Sequence, residues 1–215
     1  MKQLVIFDLD GTLLNTITDL ADATNAALIK CGFPTHSREI YPQLVGNGIT
    51  KLIERALPEE HRTDTVITGM RSSFIEYYSE HLTDFTTPYP GIPQLLQELT
   101  DRGVALAVAS NKYKEAVTTL ISHYFPNIPW VAVEGQQEGI PTKPDPSIVF
   151  EILSLHPTPK ADTLYVGDSN IDILTARRAC VDSVGVTWGF RPRAELEAAY
   201  ADHIITEPNE LLTII

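Results

Sequence analysis

The chain has 215 residues, 43% hydrophobic and 20% charged, with a formal net charge of −12 at pH 7. That length and apolar content suit one sizeable domain, or one domain with a smaller insert, and argue against extended disorder. The acidic balance argues against nucleic acid as a partner, because phosphate contacts need a surplus of Lys and Arg.

The first element is the apolar run Val5-Ile6-Phe7, which reads as a buried strand and ends on Asp8, with Asp10, Gly11 and Thr12 just beyond. Residues two apart on a strand face the same side, so Asp8 and Asp10 would meet if the extended geometry persisted. Two carboxylates ~4 Å apart repel by roughly 4 kcal/mol at an effective dielectric of 20. Other residues must offset that repulsion. Residues 16–83 carry no strand pattern. TDLADATNAALIKCG reads as a helix closed by Gly32, and REIYPQLVG and ITKLIERAL as shorter helices. The segment 59–82 places Val66, Met70, Phe74 and Tyr77 at helical spacing, a long amphipathic helix. The expected organisation is therefore a core of residues 1–15 and 84–215 with an inserted α-helical unit at 16–83. Its hinges would be LLNT and the turn-rich TDFTTPYPG.

From Tyr89 onward strand and helix alternate. GIPQLLQELTDRG, KEAVTTLISHYF, SIVFEILSL, IDILTARRAC and AELEAAY read as helices, and NELLTII is the terminal segment. VALAVAS (104–110), WVAVEG, TLYVGDS, DSVGVT and HIIT read as strands. Five or six strands separated by helices predict an α/β fold, a doubly wound, Rossmann-like parallel sheet with right-handed crossovers.

In such sheets ligands bind beyond the carboxyl ends of the strands. The polar residues expected there are Asp8, Asp10 and Thr12, then Ser110 and Asn111, then Asp168, Ser169 and Asp172. One ammonium, Lys143 in GIPTKPDPS, precedes a helix, and Lys112 beside Asn111 is its rival. Together they bring acids, hydroxyls and a cation to a single edge. A calcium loop starting at Asp8 would need Gly where Leu13 stands and Glu where Asp19 stands. The six histidines form no zinc-type pair, and no phosphate-binding GxxxxGK[ST] loop is present.

DLDGT, then SNK, then the lysine of KPDP, then GDSNID stand in the motif order that resembles the haloacid dehalogenase-like hydrolase superfamily. The helical insert is similar to its smaller cap type. VGNGITKLIERAL, YPGIPQLLQEL and VTWGFRP extend the likeness over nearly the whole chain, toward phosphoglycolate phosphatase-like members. The resemblance implies Mg²⁺-dependent hydrolysis of a small-molecule phosphate ester through an aspartyl-phosphate. Asp8 would be the nucleophile, and Asp10 the acid toward the leaving alcohol, then the base for water. Lys143 would add positive charge. Thr12, Ser110 and Asn111 would lie at the phosphate, with Thr12 also orienting Asp10. The metal ligands would be Asp8, the main-chain carbonyl of Asp10, and Asp168. Asp172 would fix Lys143 or bond metal-bound water.

Within the insert, GNGITK (46–51) and Arg55 are candidate substrate contacts, as are Arg191 and Arg193 in the core. A phosphosugar mutase would use the same two aspartates. A phosphonate-cleaving relative would need a Schiff-base lysine, for which Lys30 and Lys51 are available. A phospho-aspartate signalling module is the reading from a different class. The two separated cysteines, Cys31 and Cys180, fit a reduced, cytoplasmic protein. With no signal peptide and no apolar run of membrane length, a soluble monomer or homodimer without a membrane partner is expected. Cys180 stands where the family usually has glycine, which puts the local turn in question.

Overall fold

The computed structural model describes residues 2–215. Six strands form one parallel sheet: β1 (Leu4–Phe7), β4 (Ala105–Tyr113), β5 (Trp130–Gln136), β6 (Thr163–Gly167), β7 (Asp182–Val186) and β8 (His203–Ile205). Their order is β5-β4-β1-β6-β7-β8, and every neighbouring pair is parallel. The chain builds outward from β1 through β4 to β5, then returns to β6 on the other side of β1. That reversal opens a crevice beyond the carboxyl end of β1.

Strand β1 shows why both faces are covered. Leu4 and Ile6 pack on one side with Ile148, Val149 and Ile152 of α7 (Ser147–Leu155) and Ala176 and Ala179 of α8 (Asn170–Ala179). Val5 and Phe7 point the other way, into a core shared with α5 (Ile92–Asp101) and α6 (Lys114–Tyr124). All four β1 residues are buried, as a central parallel strand requires. A short α9 (Arg193–Ala198) follows β7, and residues Pro208–Thr213 end the chain as a 3₁₀ turn.

Between β1 and α5 the chain forms α1 (Ile17–Lys30), α2 (Tyr41–Leu44), α3 (Gly48–Ala56) and α4 (Asp64–Glu80). Helix α4 lies against both α1 and α3. It starts later than the apolar stripe suggested, because Thr63 caps it, its hydroxyl accepting from the Val66 amide at 3.4 Å. The inward stripe is Met70, Phe74 and Tyr78; Tyr77 is only half-buried. Two short strands were not expected. Residues Leu14–Asn15 (β2) and Thr87–Pro88 (β3) pair antiparallel where the chain leaves and re-enters the sheet domain. Asp19 of α1 braces the return, accepting from the amides of Phe85 (3.0 Å) and Thr86 (2.8 Å) and from the Thr86 hydroxyl (2.7 Å).

Cys180 ends α8 at φ 60°, ψ 42°, a left-handed conformation. The amides of Cys180 and Val181 bond back to Arg177 O and Ala176 O, the helix-ending motif that favours glycine. The left-handed strain exceeds the extra entropy glycine brings to the unfolded chain by about 0.5–1 kcal/mol. Cys180→Gly is therefore expected to raise Tm by ~1–4 °C in a thermal melt. An unchanged or lower Tm would contradict this.

Candidate active site

The site begins where β1 stops. The Asp8 amide continues the ladder, donating to Val166 O at 2.9 Å, but Gly11 then turns at φ +88° and the chain folds back. Asp8 and Asp10 therefore do not face each other along an extended strand. Each carboxylate meets its own lysine: Lys143 Nζ lies 2.9 Å from Asp8 Oδ1, and Lys112 Nζ lies 3.1 Å from Asp10 Oδ1. The repulsion expected from the sequence is relieved by two ammonium groups, not one.

Lys143 is almost sealed from solvent, its side chain 1% exposed. Its Nζ donates to Asp172 Oδ1 (2.7 Å), Ala109 O (3.0 Å) and the Tyr165 hydroxyl (3.1 Å). Burial alone would lower its pKa, but Asp172 and Asp8 reverse this and hold the ammonium well above its usual range. Asn111 fixes the lysine's backbone, accepting from the Lys143 amide (2.8 Å) and donating to its carbonyl (3.1 Å). Asp172 is anchored from behind by the Ser169 hydroxyl (2.6 Å). Of the two roles open to Asp172, the one seen is fixing Lys143.

Asp8, Asp168 and Asp172 each place a carboxylate oxygen within 4.8 Å of the others. Burial, then Asp172, push Asp8 up to about 7 against the pull of Lys143; Asp10 adds the least. Burial, Asp172 and Asp8 likewise raise Asp168 well above the carboxylate range. Asp8 Oδ1 accepts from the Leu9 amide (2.7 Å) and Asp168 Oδ2 from the Phe190 amide (2.6 Å). Among the described residues, Asp8 Oδ2 and Asp168 Oδ1 accept no hydrogen bond. Two free, hard oxygen donors in a crowded acidic cluster suit a divalent cation. The cradle is tight: a β-carbon on Gly11 or Gly189 would collide with the Asp168 side chain.

A carboxyl raised on folding stabilises the protein fully below its unfolded value, and that stability disappears as pH climbs through the folded value. In chelator, Tm is therefore expected to fall between about pH 4 and pH 7. A divalent cation should restore more at pH 8 than at pH 5. A Tm that is flat or rising across this window would contradict the clustering.

The other candidates divide. Asp10 Oδ1 accepts from the Thr16 hydroxyl at 2.7 Å, so Thr16, not Thr12, orients this carboxylate. Thr12 is fully buried with no partner for its hydroxyl among the described residues, and its carbonyl takes the Trp188 indole N–H at 3.0 Å. Ser110 lines the pocket, its oxygen accepting from the Lys112 amide at 3.2 Å. The side chain of Asn111 is committed to Lys143 and to Gly46 O (3.1 Å). Arg55 holds a turn of the insert, donating to Leu44 O (2.8 Å) and Asn47 Oδ1 (2.7 Å). Burial, then the neighbouring Arg191, lower its pKa. Arg193 pairs with Glu197, Lys30 with Glu76 and Lys51 with Glu54, all at the surface. Neither insert lysine lines the pocket, so the Schiff-base route has no candidate there.

Above the aspartates lies a pocket of ≈ 60 Å³, walled by Leu20, Ile49, Leu52, Phe74 and Tyr78 from the inserted segment. By the same measure that is room for roughly four to six waters. Arg191 also lines it and donates to Pro42 O and, at 2.8 Å, to Val45 O. Tyr78 and Thr16 went unmarked in the sequence; for Tyr78 the signal was the i, i+4, i+8 series Met70, Phe74, Tyr78.

The crevice lies at the carboxyl end of a parallel sheet, and its buried acids and two ammonium groups suit an enzyme that handles a small anionic substrate. The family model for haloacid dehalogenase-like hydrolase matches residues 5–186, and the chain belongs to that family. Within it the chain is phosphoglycolate phosphatase-like, and it is a phosphatase enzyme. It is 30% identical over 219 residues to the phosphoglycolate phosphatase of Haemophilus influenzae, covering 99% of this chain and 98% of that one. It is 35% identical over 208 residues to that of Pseudomonas fluorescens, covering 91% and 74%. A crystal structure from Lactobacillus delbrueckii, provisionally assigned as a phosphoglycolate phosphatase, superposes with TM-score 0.93 at 33% identity, covering 100% and 99%. No helix among the described residues is long and apolar enough to cross a membrane.

Proposed function

We propose that the protein is a magnesium-dependent phosphatase acting on a small phosphomonoester, phosphoglycolate or a close analogue, through a phosphorylated Asp8. The observation that carries this is the buried cluster of Asp8 and Asp168, each with one carboxylate oxygen that accepts no hydrogen bond among the described residues, beside the buried Lys143 ammonium. Asp8, Asp168 and the main-chain carbonyl of Asp10 would hold Mg²⁺, the hard-oxygen set it favours. When bound, the ion supplies the positive charge that lets a phosphate dianion approach a carboxylate.

The Asp8 carboxylate attacks phosphorus through one oxygen, leaving the other for the ion, and the ester P–O bond breaks. The proton held by Asp10 passes to the departing alkoxide. Lys143 stabilises the charge on the phosphoryl oxygens, while the Ser110 hydroxyl and amides near Asn111 hold them. In the second half, Asp10 takes a proton from water as that water attacks phosphorus. The Asp8–phosphorus bond then breaks, releasing inorganic phosphate and restoring both carboxyls. The inserted helices (16–83) act as a cap that excludes bulk water and sizes the leaving group. With Cys31 and Cys180 both free, the enzyme acts in the reducing cytoplasm.

The test is phosphate release from phosphoglycolate by chelated protein, with and without added Mg²⁺, and an acid quench with ³²P-labelled ester. Label recovered on Asp8 and turnover restored by Mg²⁺ are expected. Turnover that is indifferent to chelation, label on another residue, or an isomerised ester in place of free phosphate would overturn the reading.

A further inference from the structure

Lys112 is the buried cation that this mechanism leaves unused. It sits in β4 where the pairing with β5 slips between Ala109 and Tyr113, and its side chain is 4% exposed. A desolvated ammonium needs partners, and it has two: Asp10 Oδ1 at 3.1 Å and the Tyr78 hydroxyl at 2.9 Å. The same ammonium lies 4.7 Å from the centre of the Tyr78 ring. Asp10 Oδ1 also takes the Thr16 hydroxyl at 2.7 Å. One oxygen of Asp10 is thus pinned by two donors, which sets the direction of the carboxyl group in a pocket that Asp10, Lys112 and Tyr78 all line.

The three supports come from different parts of the chain. Lys112 belongs to the sheet, Thr16 to the exit toward the insert, and Tyr78 to α4 within it. We propose that Lys112 and Tyr78 are positioning residues that aim the Asp10 carboxyl at the leaving oxygen, and that this aim is complete only while α4 is docked on the sheet domain. The proposal rests on Asp10 being the proton donor. Without the Tyr78 hydroxyl, the ammonium keeps one partner in dry surroundings and swings, taking Asp10 with it. Misplacing a reacting group by ~1 Å costs about 10²-fold.

The experiment compares two esters. An alkoxide leaving from phosphoglycolate needs a proton, whereas nitrophenolate leaving from 4-nitrophenyl phosphate does not. Because kcat/KM reports only steps up to leaving-group departure, it isolates that need from the later attack by water. Lys112→Met is expected to lower kcat/KM about 10²-fold on phosphoglycolate and less than ~3-fold on the aryl ester. Tyr78→Phe should show the same selectivity at ~10-fold, mainly in kcat, and Lys112→Arg should recover part of the loss. Asp10→Asn sets the ceiling for this pattern. Equal losses on both esters, no loss, or a raised KM with kcat intact would overturn the proposal. Asp8→Asn on the aryl ester separates the two questions: surviving turnover there sinks the phospho-aspartate reading itself, whereas its abolition alongside unselective Lys112 variants sinks only this inference.

Discussion

Asp8→Asn is expected to reduce phosphate release by about 10⁴-fold or more while leaving the protein folded. An amide oxygen carries no charge and does not displace an alkoxide from phosphorus. The fold should survive because the substitution removes a burden. Asp8 is buried among Asp172 and Asp168, and its carboxyl is already pushed up to about 7. Lys143 keeps its 2.7 Å contact with Asp172. In metal-free buffer at pH 8 the variant should melt at or above the parent. Turnover within tenfold of the parent would refute the assignment, and a collapsed fold would refute the stability argument.

The second large effect is on stability and rate together. Lys143→Met preserves most of the stem and removes the charge, leaving Asp8 and Asp172 as buried carboxylates with no ammonium between them. Breaking a buried ion pair from one side typically costs 3–5 kcal/mol, or ~6–20 °C in Tm for a chain of this size. The cost should shrink toward pH 5, where Asp8, already pushed up to about 7, takes up a proton. Turnover should fall by about 10³-fold through the lost phosphoryl-oxygen contact. Calorimetry at pH 5 and pH 8 with parallel assays would check both. A variant as stable as the parent at pH 8 would mean the cluster is solvated.

Much of this was legible in the sequence because the signals were local. β1 reads as a strand from its apolar run; DLDGT and GDSNID follow the ends of β1 and β6, SNK lies in the last residues of β4, and the Lys143 of KPDP reaches the same edge from the turn before α7. What was not legible depends on how the chain turns after the motif. Asp8 and Asp10 looked paired because the pattern could not show Gly11 reversing the backbone at φ +88°. Thr12 looked like the hydroxyl for Asp10, yet the turn brings Thr16 there. Tyr77 and Tyr78 stand side by side, and one-residue differences in helix phase decide which enters the pocket. The β2–β3 ribbon is two residues long on each side and has no periodicity to detect. Arg191 reaches Val45 across 146 positions, a contact no local pattern encodes.

Arg191 and Asn111 hold the 42–46 segment, the end of α2 and the turn after it, through its main chain: Arg191 donates to the oxygens of Pro42 and Val45, and Asn111 to that of Gly46. Every amino acid carries such an oxygen. A side-chain change at exposed Gln43 therefore leaves all three acceptors in place, whereas buried Val45, and Gly46 at φ +110°, are tied to their residue types.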